Sequence, residues 1–332
     1  MSPTGDGSAS ALVRYALRRL VVMLGLLIVV SIGIFAMVEI LPGDVGNLIL
    51  GQYATAENVE LVRRELGLDR ALAVRYLDWM GGFVTGDWGD SWRLGIPIAP
   101  LVAARLYNSV IFAVVAFAFI IPVSVTAGVV SALRRGRLPD RLINGASAVA
   151  ITIPEFVSSM FLILFFSLLL PWFPSSAMVP AGAGPLTTLR YLALPIVAIS
   201  PVLVGYIART VRASTITELE ADYTRTAVLK GLDWRTVVRR HVLRNALLPA
   251  ITVIANQIAW LVGGLVVIEN VFNYPGIGQL LLQAALVQDV PLLEAIVLIL
   301  AAVLMLSNLV ADILATVLNP RVRAQVAQEV RR

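Results

Sequence analysis

The sequence predicts an all-α membrane protein with six transmembrane helices, and three observations lead to that prediction. Asp, Glu, Lys and Arg make up only 14% of the 332 residues, whereas a soluble domain carries about 25%. Hydrophobic residues make up 58%, and so few charges cannot cover the surface of a soluble protein of this size. Uncharged stretches close to the roughly 20 residues that a bilayer crossing requires occur six times.

The six predicted spans follow one another along the whole chain. Their residue ranges are 20–38, 106–133, 142–170, 191–208, 245–268 and 295–311. The third span is interrupted by Pro154 and Glu155. An even number of spans places both termini on the same side of the membrane.

The distribution of basic residues predicts which side that is. Nineteen of the 26 Lys and Arg residues fall in the termini or in the loops on the side of the termini. Short cytoplasmic loops are enriched in basic residues. We therefore expect a multi-pass protein with cytoplasmic N- and C-termini.

The long segment after the first span, residues 42–105, is predicted to be partly helical and extracytoplasmic. Val59, Val62 and Leu66 begin a helical pattern that continues to residue 80. Thr55 is a suitable N-cap for this helix, and glycines from Gly81 onward are expected to end it.

A second polar segment, residues 213–244, separates the fourth and fifth spans. Gly231 interrupts its helical pattern, and Asp233 is placed to cap a second helix that begins at Trp234. This pattern predicts two short helices joined by a turn on the cytoplasmic side.

Polar residues inside three of the spans fall on common helical faces. In the third, fifth and sixth spans these candidate passage-lining residues are Asn144, Ser147, Glu155, Ser158, Asn256, Trp260, Asn308 and Asp312. They either line one polar passage or hydrogen-bond between helices, and for most single residues the packing role is the more common one. Glu155 is the exception, because a carboxylate within the membrane is costly. It is expected to bind a substrate amine or to pair with a partner chain.

The composition excludes several kinds of chemistry. The chain has no Cys and a single His, so disulfides, thiolate catalysis and multi-histidine metal sites are excluded. Its single Lys, Lys230, lies between Leu229 and Gly231, so there is no phosphate-binding loop of the Walker A type. We expect no catalytic residue, metal or cofactor in this chain, and any ATP must be bound by another polypeptide.

Several motifs are similar to those of one family of transporters. The stretch ELEADYTRTAVLKGLDWRTVVRRHVLRNALLP resembles the EAA loop of ABC-importer permeases, in particular those of the dipeptide/oligopeptide/nickel family. Other motifs agree with this resemblance: LPGD at 41–44, ELGLDR at 65–70, GDWGDS at 86–91, ALRRGRLPDR at 132–141 and VIENVFNYPGIGQLL at 267–281. The resemblance extends from about residue 12 to residue 320.

The resemblance implies a type I ABC importer permease architecture in a bacterial plasma (inner) membrane. A region 1–105 would precede a core 106–320 that contains the coupling loop 213–245, and a cytoplasmic tail 321–332 would follow. The passage would form with a second homologous permease, usually as a heteromeric pair. Two cytoplasmic ATPase subunits would bind ATP and Mg²⁺, and an extracytoplasmic binding protein would deliver the substrate. Peptides are the expected substrates, with glutathione and nickel chelates as alternatives, and no nucleic acid is expected to bind.

The same resemblance assigns the contact with the ATPase to the EAA loop. Carried over to this sequence, the coupling residues are Asp222, Tyr223, Arg225, Thr226, Ala227 and Gly231. Gly231 would supply a turn that a Cβ atom hinders, and the small Ala227 would permit close approach. Asp222 and Arg225 would offer charge-assisted hydrogen bonds.

Three other functions are considered beside the importer. A stand-alone secondary transporter or channel would use Glu155, Glu269 and Asp312 as ion-coupled sites, but no internal repeat of the kind found in that class is visible. A basic loop also binds anionic lipid. A membrane enzyme would require a nucleophile–base motif, and none is present.

Overall fold

The computed structural model describes residues 5–40, 54–65, 67, 69–180 and 182–318. Within these ranges the chain forms α-helices, two π-helical segments and one isolated β-bridge, between Asp90 and Pro97, and it has no strand. The LPGD motif and the C-terminal tail lie outside the described residues.

The helices are numbered here in chain order. They are α1 (Gly5–Ile40), α2 (Ala56–Glu65), α3 (Leu72–Thr85), α4 (Ile98–Leu133), α5 (Leu138–Thr152), α6 (Glu155–Ile163), α7 (Pro185–Glu220), α8 (Asp222–Leu229), α9 (Trp234–Thr236), α10 (Leu243–Val271), α11 (Ile277–Leu286) and α12 (Val290–Leu318). The π-helical segment Leu164–Leu169 continues α6, and Val237–Val242 joins α9 to α10.

Several of these helices are long and apolar enough to cross a membrane. Among the described residues, four stretches qualify, within α1, α4, α7 and α12. A fifth qualifies if α5 and the α6 segment, which are bent by 102° relative to each other, form one broken span. The fifth predicted span, residues 245–268, lies on the 29-residue α10. The chain is therefore an all-helical, multi-pass membrane protein.

The surface of α1 shows what solvent this fold requires. Val21, Val29 and Met37 are each more than 60% exposed. Their side chains lie on a helix that contains an 18-residue stretch with a mean hydropathy of 2.9. Such a surface is stable against lipid, where the helix already satisfies its own backbone hydrogen bonds.

The segment after α1 contains two helices where the sequence predicts one. The predicted cap is confirmed, because the Asn58 backbone N–H donates to Thr55 Oγ1 at 3.2 Å. Of the glycines predicted to end the helix, Gly81 and Gly82 lie within α3, which continues to Thr85. The helix ends at Gly86, another of these glycines, which adopts a left-handed conformation with φ 87°. An earlier break between α2 and α3, around residue 67, divides the predicted helix.

The described chain forms two compact units. The larger consists of Val110–Tyr274 with residues up to Val21 and from Leu304 onward, and the smaller consists of Val22–Ser109 with Pro275–Val303. In the larger unit α7 forms the centre of the core, with Ile199, Leu203 and Ile207 fully buried. Helices α5, α6 and α10 pack against it.

The smaller unit is held by polar contacts to one buried carboxylate. Asp289 is 1% exposed and accepts hydrogen bonds from the Ser91 hydroxyl and from the backbone N–H groups of Trp92 and Arg93. The GDWGDS motif thus ends in a loop that is docked onto the α11–α12 turn.

Two glycines allow other helices to approach α7 closely. A Cβ atom on Gly128 of α4 would lie 2.6 Å from the Ala208 carbonyl oxygen and 2.6 Å from Val211 Cβ. A Cβ atom on Gly205 of α7 would lie 3.0 Å from Ile151 Cγ1 of α5. Small residues at such crossings are typical of packing in membranes, where close van der Waals contact stabilises helix pairs.

A buried carboxylate fastens the α4–α5 turn to α7. Asp140 accepts two hydrogen bonds from the Arg212 guanidinium, at 2.7 and 2.9 Å. It also accepts from Ser131 Oγ at 2.5 Å, from the Gly136 backbone N–H at 2.8 Å and from Asn144 Nδ2 at 2.6 Å. A bidentate Arg–carboxylate pair restricts geometry as well as stabilising it. The Asp140 cluster, which consists of these five residues, therefore fixes the turn relative to α7.

The close contact at Gly128 predicts that a glycine-to-alanine substitution lowers the melting temperature there but raises it at Gly145. Gly128→Ala should lower the melting temperature, because overpacking costs about 1–3 kcal/mol and the nearest atom is a backbone oxygen. Gly145→Ala is the control, because a Cβ atom there meets nothing within 4 Å and alanine favours a helix by about 1 kcal/mol. Thermal unfolding of the purified protein in detergent measures both, and equal melting temperatures would contradict the packing.

The Asp140 cluster leads to a second prediction. Asp140→Ala should reduce the free energy of unfolding by about 3 kcal/mol, because Arg212 loses its partner at a largely buried site. The control is Arg135→Ala, which removes an ion pair to Glu220 whose side chains are 59% and 65% exposed, and such pairs contribute about 0–1 kcal/mol. Thermal unfolding distinguishes the two, and similar small shifts in both variants would refute the importance of the cluster.

Candidate functional site

The predicted coupling loop contains the short helix α8, which directly follows the buried helix α7. Helix α7 ends at Glu220, and α8 begins at Asp222, with the extended residue Ala221 between them. Asp222 lies in the first turn of α8, where a negative charge interacts favourably with the helix dipole. Only one non-helical residue thus separates α8 from α7.

The turn predicted at Gly231 is present and is a Schellman motif. The Gly231 N–H donates to the Val228 carbonyl at 2.9 Å, and the Leu232 N–H donates to the Ala227 carbonyl at 3.4 Å. Gly231 has φ 76°, a left-handed conformation that residues with a Cβ atom rarely adopt. The carbonyls at the end of α8 are therefore satisfied within the chain.

The predicted second helix of the loop also begins where expected. The Asp233 carboxylate accepts a hydrogen bond from the Arg235 backbone N–H at 3.0 Å, which confirms the cap. The prediction that this helix is short is wrong, because the helical backbone continues from Trp234 through the π-helical segment into α10.

One face of α8 packs against its own chain. Thr224 and Ala227 are buried, and Ala227 forms a small apolar cluster with Val237 and Val242. The Thr224 hydroxyl donates to the Glu218 carbonyl oxygen at 2.7 Å. The close approach that a small residue permits at position 227 is thus to residues of this chain.

Tyr223 adds a second attachment of α8 to its neighbours. Its hydroxyl donates to the Glu218 carboxylate and accepts from Asn245 Nδ2. Partial burial raises the pKa of Tyr223. The side chain therefore links α8 to the end of α7 and the start of α10.

The other face of α8 is open. Asp222, Arg225 and Thr226 are exposed, and so is Gly231 in the turn. Beside them lies an apolar patch that the sequence prediction did not include. Its members, with their exposed fractions, are Val228 (47%), Leu229 (79%), Leu232 (42%) and Trp234 (53%). The spacing of 228, 229 and 232 among charged residues is the signal that indicates one exposed helical face.

A patch of this kind is unusual outside the membrane. Large exposed apolar groups flanked by charges are typical of protein–protein contact surfaces. Trp and Arg residues are also over-represented among the side chains that dominate binding energy. The exposed face of α8, with the apolar patch and the flanking charges, is thus suited to bind another protein.

The predicted passage residues of the third span occupy several different environments. The Asn144 amide donates to Asp140 and Ser131 within the Asp140 cluster, and Ser147 is buried. Ser158 Oγ donates to the Ala198 carbonyl of α7 at 3.2 Å. Glu155 is partly exposed at the first turn of α6, beside a cavity.

The predicted passage residues of the last two spans are not brought together with Glu155 by any hydrogen bond or ion pair between described residues. Asn256 and Asn308 are exposed. Asp312 pairs with Arg19 at 3.2 Å. The Trp260 side chain lies outside the described residues.

Comparisons with known proteins agree with this geometry. A model of the family described as binding-protein-dependent transport system inner membrane component matches residues 124–324. A model of the N-terminal region of such membrane components matches residues 12–125.

Individual relatives are similar over almost the whole chain. A putative peptide transport system permease protein of Brucella abortus is 36% identical over 92% of this chain and 98% of its own length. A probable peptide ABC transporter permease protein of Sinorhizobium fredii is 34% identical over 93% of this chain and 99% of its own length. A glutathione transport system permease protein of Shigella flexneri is 35% identical over 94% of this chain and 99% of its own length.

In this family, ATP is hydrolysed by separate ATPase subunits, so the chain is not an enzyme. The membrane-crossing helices and both matches lead to one assignment. The chain belongs to the family of binding-protein-dependent transport system inner membrane components and is the permease subunit of an ABC importer.

Proposed function

We propose that this chain and a second, related permease together form the passage of an ATP-driven importer of peptides. The names of the similar proteins, which refer to peptide and glutathione transport, support that substrate class. Two cytoplasmic ATPase subunits bind ATP and Mg²⁺, and an extracytoplasmic binding protein delivers the peptide.

The proposed topology has six crossings, with both termini in the cytoplasm of a bacterial cell. The excess of basic residues on one side supports it, and α10, at 29 residues, is long enough to supply a further crossing. Helices α2 and α3 then lie outside the cell, and α8 lies in the cytoplasm.

The proposed coupling to the ATPase rests on one observation, the exposed face of α8. Charged residues and the apolar patch Val228, Leu229, Leu232 and Trp234 lie side by side there. We assign this face to a groove of the ATPase, with Asp222 and Arg225 as hydrogen-bonding groups. Tyr223 and Ala227 fix the helix to its own chain.

The proposed movement passes from α8 into α7. Helix α7 is continuous for 36 residues, or about 54 Å. The Asp140 cluster and the contacts at Gly128 and Gly205 join it to α4 and α5. When the ATPase subunits close on ATP, α7 and the α5 segment therefore move as one body.

The proposed passage is lined by the polar residues of three spans. In the third span Glu155 and Ser158 are the proposed lining groups, while Asn144 and Ser147 support them from within the packed part of α5. In the other spans the proposed lining groups are Asn256, Trp260, Asn308 and Asp312.

The first test concerns the apolar patch. Leu229→Asp should weaken binding of the ATPase subunits about 30-fold, because a residue at the centre of an interface contributes about 2 kcal/mol or more. The measurement is the amount of ATPase that copurifies with the detergent-solubilised permease. Membrane insertion should be unchanged.

The matched control for this test is Leu186→Asp. Leu186 is 82% exposed at the other end of α7. Its substitution therefore introduces the same charge at a similarly exposed leucine. Copurification should remain at the wild-type level in this variant. Full copurification with Leu229→Asp would refute the proposed docking face.

The second test concerns the turn that ends α8. Gly231→Val should reduce copurification of the ATPase and ATP-driven uptake, because a left-handed conformation costs a residue with a Cβ atom about 1–2 kcal/mol. Gly86→Val introduces the same strain at the end of α3, again with no atom near the new Cβ. Copurification should survive that control substitution, and equal losses in the two variants would contradict a specific role for the Gly231 turn.

A further inference from the structure

The third predicted span is broken at its centre. Helix α5 ends at Thr152, Ile153 is extended, and α6 begins after Pro154. Proline has no backbone N–H and restricts the residue before it to extended conformations. The helical segments on the two sides of the break are bent by 102°. No helical turn therefore follows to donate to the last carbonyl groups of α5, although the Val149 carbonyl accepts from Thr152 Oγ1 at 2.7 Å.

The break lies beside a cavity of about 290 Å³ that is open on one side, where Thr152, Ile153 and Pro154 are exposed. Thr152 and Glu155 line it from the break, and Val202 and Tyr206 line it from α7. Val202 is close to the midpoint of the 36-residue α7. Val202 also lies about 4 Å along the helix from the midpoint of the predicted fourth span, residues 191–208, a depth near the middle of the bilayer.

The groups around the cavity favour a cation. Glu155 contributes a carboxylate, and Thr152 and Tyr206 contribute hydroxyl groups. The carbonyl end of α5 adds the negative end of a helix dipole. In transporters, broken helices use such carbonyl ends to bind cations.

Glu155 also differs from other acidic residues of the larger unit. Asp140 pairs with Arg212, and Asp312 pairs with Arg19. No basic side chain among the described residues pairs with Glu155. The N-terminus of α6 stabilises the Glu155 charge only in part, by up to about 2 kcal/mol. A carboxylate within the membrane without a counter-ion is costly, and the adjoining cavity has room for a cation.

The walls of the cavity are held in place by packing on both sides of the break. Gly205 of α7 is in close contact with Ile151 before the break. After the break, Ser158 donates to Ala198 of α7, and Ser159 donates to the Glu155 carbonyl at 2.7 Å. The backbone on both sides of the break is therefore held against α7.

We propose that this cavity binds a primary ammonium group, such as the amino terminus of a peptide, with the Glu155 carboxylate as its counter-ion. This inference rests on the proposed function and names the part of the substrate that the permease itself recognises. The volume is at the lower end of the roughly 300–1,000 Å³ of ligand pockets. It therefore takes one end of a peptide rather than the whole molecule.

The test uses the absence of cysteine from the chain. Val202→Cys places one thiol in the cavity wall and leaves the Glu155, Thr152 and Tyr206 side chains intact. In the purified complex, the rates of modification of this chain are measured with two methanethiosulfonates, the trimethylammonium-ethyl and the sulfonatoethyl reagents. The cationic reagent should react faster, and Glu155→Gln should reduce the ratio of the two rates about tenfold or more.

A second thiol provides the matched control. Thr217 is exposed on α7 and lies about 16 Å along the helix from Tyr206. In Thr217→Cys the ratio should not depend on Glu155. A ratio at Val202→Cys that is unchanged by Glu155→Gln would overturn the proposal.

The ligand class is tested by protection of the same thiol. Alanyl-alanine amide should slow modification of the Val202→Cys protein, whereas its N-acetylated form, which has no ammonium group, should not. Glu155→Gln should abolish the protection. Protection by both compounds, or by neither, would refute recognition of the ammonium group. These measurements require neither ATP hydrolysis nor uptake, so they fail independently of the proposed function.

Discussion

The ion pair between Asp140 and Arg212 is the interaction on which the rest of the larger unit depends. It joins the α4–α5 turn to the last part of α7, residues 209–220, where Val211 and Thr215 are the buried side chains. Isolated salt bridges contribute little at a surface, but this one is bidentate, largely buried and supplemented by Ser131, Gly136 and Asn144. Breaking it would leave an arginine without its partner.

Two functional regions lie at different points along the helix that this pair holds. Helix α8, with its exposed face, begins one residue after α7 ends. The cavity beside Glu155 borders α7 near its midpoint. In the proposed mechanism, the same rigid helix receives the movement of the ATPase and forms one wall of the substrate site. Close packing makes this possible, because packed helices transmit displacement instead of absorbing it.

Much of the coupling loop could be predicted from the sequence because its determinants are local. The turn at Gly231 and the cap at Asp233 depend on residues at most five positions apart, and both are present. The role of Asn144 could not be predicted in this way. Its predicted face continues across the 102° break to Glu155 and Ser158, whereas its amide bonds to Asp140 one turn earlier and to Ser131 on another helix. Periodicity identifies a face, not the partner on the opposite side.

Helix lengths were underestimated for a related reason. Hydropathy identifies the part of α7 that is apolar, whereas the helix continues through polar residues to Glu220 because Arg212 and Thr215 are held within the bundle. The first part of the segment 213–244 therefore belongs to the membrane helix α7, whereas the sequence predicts two short helices for this segment. The break at Pro154 is visible in the sequence, but its 102° bend and the adjoining cavity depend on packing against α7.

The central claim is that α7 and the α5 segment move as one body during transport. It is tested most directly by the distance between spin labels at Val149→Cys, an exposed position of α5, and Thr217→Cys, measured by pulsed electron resonance in a labelled complex that retains ATP-driven uptake. The distance distribution should be the same in the nucleotide-free and ATP-bound states, because the Asp140 cluster and the Gly205 contact join the two helices. A change of several ångströms between the two states would contradict this claim.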